Sequence, residues 1–98
     1  MQFVIRAYDG KDMLERRMAV RPRHLENMTR MRERVVCAGG LLDDAGKMKG
    51  SVIILDCDSR EQRDAYLASE PYIAEHVWET VEVERMNVVL VNGEKAGR

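Results

Sequence analysis

One short run restricts the fold of this chain more than any other: Gly50-Ser51-Val52-Ile53-Ile54-Leu55-Asp56-Cys57. Successive side chains of an extended strand point to opposite faces. Val52 and Ile54 then lie on one side, and Ile53, Leu55 and Cys57 on the other. A strand that is apolar on both sides has to be covered from both directions. Helices packed on one face of a sheet leave the second face open. The sheet of another copy of the chain would cover it, so this run predicts a homodimer.

The neighbouring segments supply the rest of the sheet. From Gln2 to Tyr8 the chain reads as a strand with Phe3, Ile5 and Ala7 on one face and Gln2, Val4, Arg6 and Tyr8 on the other. Asp9-Gly10 marks a turn, and Asp12 can cap a short helical turn over 13–18. Pro22 suits a first helical position, since its φ is already helical and its missing N–H would have no partner there. Arg21-Pro22-Arg23-His24 therefore predicts the start of the main helix, which reaches about Arg34. Leu25, Met28, Met31 and Val35 form its buried stripe, with Arg23, Glu26, Asn27, Arg30 and Glu33 outside.

A second strand is expected over 35–42, where Gly39-Gly40 allows a bulge or a close approach. Ser59 with Gln62 is a capping-box signature for a helix over 60–69, broken by Glu70-Pro71. One more helical turn fits 72–77, with His76 at the surface. Val81 and Val83 then alternate with Thr80, Glu82 and Glu84 in a fourth strand on a partly exposed edge, which Val88–Val91 continues or pairs with. The order β-α-β-β-α-β is the ferredoxin-like arrangement, an α+β fold with a four-stranded antiparallel sheet. Ninety-eight residues suffice for one domain, 1–98, with 92–98 as a polar, frayed tail.

Sixteen basic residues against seventeen acidic leave a net charge of −1, which is no electrostatic footprint for nucleic acid. No apolar run approaches the roughly 18–20 residues of a membrane span. The first residues lack the pattern of a secretion signal, so a cytoplasmic location is expected. Cys37 and Cys57 fit no zinc spacing and read as small buried apolar residues. Without a phosphate loop, dinucleotide glycine pattern, metal triad or Ser-His-Asp ordering, the expected site uses neither metal nor cofactor.

The chemistry then falls to His24, whose imidazole can take and return a proton near neutral pH. A carboxylate would hold one ring nitrogen as donor and leave the other free. Glu70, Asp9 and Asp12 are the candidates, and the sequence does not choose among them. Arg6 and Tyr8 share a strand face; if it lines the pocket, Arg6 would bind an anionic oxygen of a small-molecule substrate. Arg21, beside the predicted helix start, is a second such residue, and Tyr72 is placed to pack over the site.

Three of these patterns together resemble the YciI-like family: the opening strand with Arg21-Pro22-Arg23-His24-Leu25, Gly50-Ser51 at the start of an apolar strand, and Glu70-Pro71-Tyr72, similar to the family's Asp-Pro-Tyr. The resemblance covers Met1 to about Val89. It implies a dimeric α+β barrel, similar in architecture to muconolactone isomerases and small antibiotic-type monooxygenases, with a pocket between sheet and helices in each protomer. It also implies an active histidine with a nearby carboxylate, and one branch resembles dehydrochlorinases of chlorinated hydroxyquinols. By position His24 matches the family's histidine, Ser51 the serine after glycine, and Glu70 the aspartate, one methylene longer. Ala38-Gly39-Gly40 stands where the family has Ala-Gly-Pro. Two functions of different class follow. One is an enzyme of proton transfer, isomerisation or elimination on a small oxygenated, aromatic or lactone molecule. The other is a non-catalytic module that binds a small molecule in the same pocket.

Overall fold

Alternation along the first strand decides which side of the sheet is inside. The computed structural model describes residues 1–96, and in it β1 (Gln2–Asp9) buries Phe3, Ile5 and Ala7. The chain continues through α1 (Leu14–Arg30), a 3₁₀ turn (Arg32–Arg34), β2 (Val35–Leu42), β3 (Met48–Asp56), α2 (Arg60–Ser69), α3 (Pro71–Ala74) and β4 (Trp78–Met86). Two short strands follow, β5 (Leu90–Val91) and β6 (Glu94–Lys95). The four long strands form one antiparallel sheet in the order β2-β3-β1-β4, the ferredoxin-like βαββαβ topology. Ser51, Ile53 and Leu55 of β3 join the β1 residues on the helix side, where Val20 of α1 and Tyr66 of α2 cover them. Val52 and Ile54 face the other way and are only half-buried in the single chain.

Helix α1 departs from the expectation. One helix runs through Pro22 instead of starting there, and Met13, not Asp12, occupies its N-cap without a side-chain bond. Asp12 takes a positive φ of 58° in the preceding turn. Pro22 withholds one N–H from the carbonyl of Met18, but both residues are exposed, so water can serve that carbonyl. The buried residues of α1 are Arg17, Val20, His24 and Asn27, spaced three or four apart. The buried face is thus turned from the expected one: Leu25 is exposed and Asn27, expected outside, is inside. On that face Arg17 and His24 border a cavity, while Asn27 Nδ2 donates to Ser69 Oγ at 3.2 Å.

Helix α2 follows its sequence signal: Ser59 Oγ accepts from the N–H of Gln62 at 3.2 Å, and Gln62 Oε1 accepts from Asp58 N–H at 2.8 Å. Gly50, buried on β3, has no room for a side chain, since a Cβ there would stand 2.4 Å from the backbone carbonyl oxygen of Ala7. Past β4 the chain leaves the sheet. The N–H of Val88 donates to Gln2 Oε1 at 2.7 Å, and β5 pairs with β6 across Asn92-Gly93, with φ of 51° and 78°. An Asn-Gly pair with both φ positive is a two-residue hairpin turn, so the expected tail from Asn92 begins instead as a small hairpin. Gly97 and Arg98, the end of that tail, lie outside the described residues. Cys57 is buried as expected, whereas Cys37 is exposed because it points to the helix-free face at the edge strand β2.

Candidate active site

Glu70 occupies the joint between α2 and α3, and its placement follows from Pro71. Proline at the first helical position of α3 forces the residue before it into extended backbone (φ −72°, ψ 116°), where Glu70 serves as N-cap. Its side chain is 0% exposed. A buried carboxylate needs donors, and three converge on it. Oε1 accepts from the backbone N–H of Tyr72 at 3.0 Å and meets His24 Nδ1 at 2.7 Å, while Oε2 accepts from the Tyr66 hydroxyl. An oxygen already accepting from a backbone N–H accepts from the imidazole too, so Nδ1 is the donor to Glu70 and, in the neutral ring, Nε2 is the nitrogen with the free lone pair. Nε2 has no protein partner among the described residues. Burial, reinforced by the Glu70 charge, pushes the Tyr66 hydroxyl far above its ordinary range and keeps it a donor.

The imidazole is fixed from its faces as well. Tyr72 stacks on it with ring centroids 4.1 Å apart and planes 17° from parallel, and Trp78 meets it edge-on at 6.3 Å. Burial raises the Tyr72 hydroxyl above its ordinary range although Arg17 and Arg21 pull it down, so it stays a neutral phenol.

Arg17 stands seven residues before His24 on α1, two turns along the same face. Its Nη1 donates to both oxygens of Asp9, at 2.9 and 3.1 Å, and its Nη2 to Ser51 Oγ at 2.8 Å. The guanidinium also lies 4.7 Å from the centre of the Tyr72 ring. Burial lifts the Asp9 carboxyl above its ordinary range by more than Arg17 draws it down. Arg17, Arg21, His24, Ser51 and Tyr72 all border one cavity of about 180 Å³ between α1 and the sheet. Among the described residues no three His, Cys, Asp or Glu side chains cluster in a way that could hold a metal.

Of the residues singled out from sequence, His24, Glu70, Ser51, Arg21 and Tyr72 come together here. Arg6 and Tyr8 do not. They point to the helix-free face, where Arg6 pairs with Glu82 at 3.0 Å and Glu84 at 3.7 Å, because the cavity lies on the side of the sheet that Ala7 faces. Asp9 serves Arg17 rather than His24, and Asp12 forms part of the turn before α1. His24 sits in the middle of α1, away from the N-terminal field that a start at Pro22 would have placed on it. His76 is exposed. Sequence reasoning missed Arg17 and Tyr66. The seven-residue step from Arg17 to His24 was the available signal, hidden once Pro22 was read as a helix start.

The sequence profile of the YCII-related domain matches residues 1–87. Protein YciI of Escherichia coli O6:H1 is 35% identical over 92 residues, covering 86% of this chain and 94% of that protein. Aspercryptin biosynthesis cluster protein B of Emericella nidulans is 34% identical over 80 residues, which span 72% of this chain and 51% of that protein. Among solved structures, 5-chloro-2-hydroxyhydroquinone dehydrochlorinase of Burkholderia phenoliruptrix, in complex with 2,5-dihydroxybenzoquinone, superposes with a TM-score of 0.82 at 22% identity, over 89% of this chain and 94% of that one. An antibiotic biosynthesis monooxygenase superposes with a TM-score of 0.58 at 14% identity, over 91% of this chain and 98% of that one. These structural likenesses speak for the fold. No helix among the described residues is long and apolar enough to cross a membrane.

Proposed function

The chain belongs to the YCII-related family, and from that premise we propose that it is an enzyme moving a proton on a small, oxygenated, ring-sized molecule, with His24 as the base. The observation that carries this reading is the buried His24 Nδ1–Glu70 Oε1 contact of 2.7 Å with Nε2 left open at a cavity. Nε2 takes a proton from a carbon next to a carbonyl, the C–H pair forms a carbon–carbon double bond, and the carbonyl oxygen becomes anionic. Returning the proton to another carbon completes an isomerisation. In an elimination the enolate re-forms its carbonyl as a group on the next carbon leaves with its bonding pair. Glu70 keeps Nδ1 protonated and offsets the charge of the imidazolium while it exists. The dehydrochlorinase with the same fold and its dihydroxybenzoquinone ligand support a substrate of this size and oxygen content.

The test is a panel of lactones, phenolic acids and chlorinated hydroxyquinols incubated in deuterium oxide and followed by NMR. His24→Ala should slow exchange or turnover of an active compound by about 10²–10⁴-fold while ligand binding persists. Turnover that survives the substitution unchanged would remove the base from the mechanism. Binding without turnover in wild type would instead make the chain a binding module.

The same premise supports a homodimer joined through the helix-free sheet face. Val4, Val52 and Ile54 stand half-buried there, and Val89 and Leu90, 62% and 61% exposed, border the same hollow as Ile54. Sedimentation equilibrium should give twice the chain mass, and Ile54→Lys should reduce it to one. A wild type sedimenting as a single chain at tens of micromolar would exclude the pairing.

A further inference from the structure

The wall of the cavity beside His24 has one electrical sign. Arg17, Arg21, His24, Ser51 and Tyr72 face it, and among the described residues no carboxylate does. Both acids of the site stand behind that wall, Asp9 holding Arg17 and Glu70 holding His24. Arg21 is half-buried and forms no ion pair among the described residues. A guanidinium at the margin of a low-dielectric hollow, lacking a counter-charge, favours a ligand that brings one. Arg17, already neutralised, adds donor capacity without adding net charge.

The cavity keeps room for such a group. Gly40 lies across the β2–β3 ladder from Ser51, so both positions address the cavity side. A Cβ at Gly40 would stand 3.7 Å from Arg17 Nη2 and 3.4 Å from Cγ and Sδ of Met48. These contacts are tight at most, and the backbone there is outside the left-handed region. Nothing in the fold requires glycine at this position; a methyl group would mainly remove open space beside the guanidinium. The volume of about 180 Å³ sets the size class, since a cavity of about 150 Å³ already holds a benzene ring.

We propose that the end of the cavity formed by Gly40, Ser51 and Arg17, with Arg21 as counter-charge, is a subsite for an anionic oxygen on a single-ring ligand. The proposal rests on the cavity being a substrate site and deepens that reading to a class: aromatic or cyclic carboxylates, phenolates and enolates.

Titration calorimetry with benzoate, 4-nitrophenolate and the neutral isostere benzamide tests it. Benzoate or 4-nitrophenolate should bind at least about tenfold more tightly than benzamide, and which of the two binds separates the carboxylate from the phenolate source. Arg21→Gln should weaken the anion by about tenfold and leave benzamide unaffected. Gly40→Ala should weaken the anion by several fold without lowering the melting temperature. In this binding experiment Arg17 is kept, because replacing it alone would strand Asp9. Equal affinity for benzoate and benzamide, no binding of either anion, or full affinity in Arg21→Gln would each overturn the subsite. Anion binding that persists in His24→Ala supports the subsite even if no compound turns over. Turnover without any preference for anions would keep the proton-transfer reading and discard the subsite.

Discussion

Glu70→Ala should leave the protein barely folded at room temperature. The substitution strands the Tyr66 hydroxyl, the Tyr72 N–H and the His24 N–H in an interior where water does not replace the lost acceptor. It also opens a void where a side chain that is 0% exposed had been. Each buried donor left without an acceptor costs about 1–3 kcal/mol, and the void adds to that. Domains are stable by about 5–15 kcal/mol in total, and a chain this short belongs at the lower end. Urea denaturation followed by circular dichroism should therefore show most of the folding free energy gone. Glu70→Gln separates structure from charge. Its amide oxygen can accept from Tyr72 and His24, and its NH₂ can face a Tyr66 hydroxyl rotated to accept. The expected loss of stability is only about 1–2 kcal/mol. Turnover should nevertheless fall, because nothing then offsets the charge of the imidazolium. A Glu70→Ala protein within about 1 kcal/mol of wild type would show that the carboxylate does not hold the site together.

Asp9→Ala is expected to be nearly as damaging, for a different reason. Arg17 is 3% exposed, and its charge is tolerated inside because both oxygens of Asp9 receive Nη1. Removing the acid leaves an uncompensated guanidinium between α1 and the sheet, at a cost of about 3–5 kcal/mol. The pair itself is not a large net stabiliser, since burial has already raised the Asp9 carboxyl above its ordinary range. Replacing both partners should accordingly do less harm than replacing one. In Asp9→Ala with Arg17→Met, a flexible apolar side chain can lie against Tyr72 where the guanidinium stood, and most of the loss should be recovered. A double-mutant cycle in urea checks this. A double variant as unstable as the two single losses added together would mean that Asp9 and Arg17 act independently.

The two cases mark where local pattern ends. The strands, the cap of α2 and the break at Glu70-Pro71 were legible in the sequence, because alternation, Ser59 with Gln62 and a proline act through near neighbours. His24 and Glu70 were legible as candidates through their short motifs. Their contact was not, because 46 residues of chain separate them and only packing of α1 against the α2–α3 joint closes that distance. The continuous α1 shows the opposite limit. Proline at position 22 is a strong local stop, yet burial of Arg17, Val20, His24 and Asn27 along one face outweighs the one hydrogen bond it forfeits.

By itself the sequence determined the order of elements, the two faces of each strand and the residue types able to move a proton. Only the tertiary structure decided which side of the sheet holds the cavity, so that Ala7 is buried on that side while Arg6 turns to the glutamates of β4 and Tyr8 to the open side of the sheet. It also decided which acid serves which base. Alternation assigns side chains to two faces but does not say which the helices will cover. That choice depends on where long-range burial places the apolar surface and the charges that must be paired inside it.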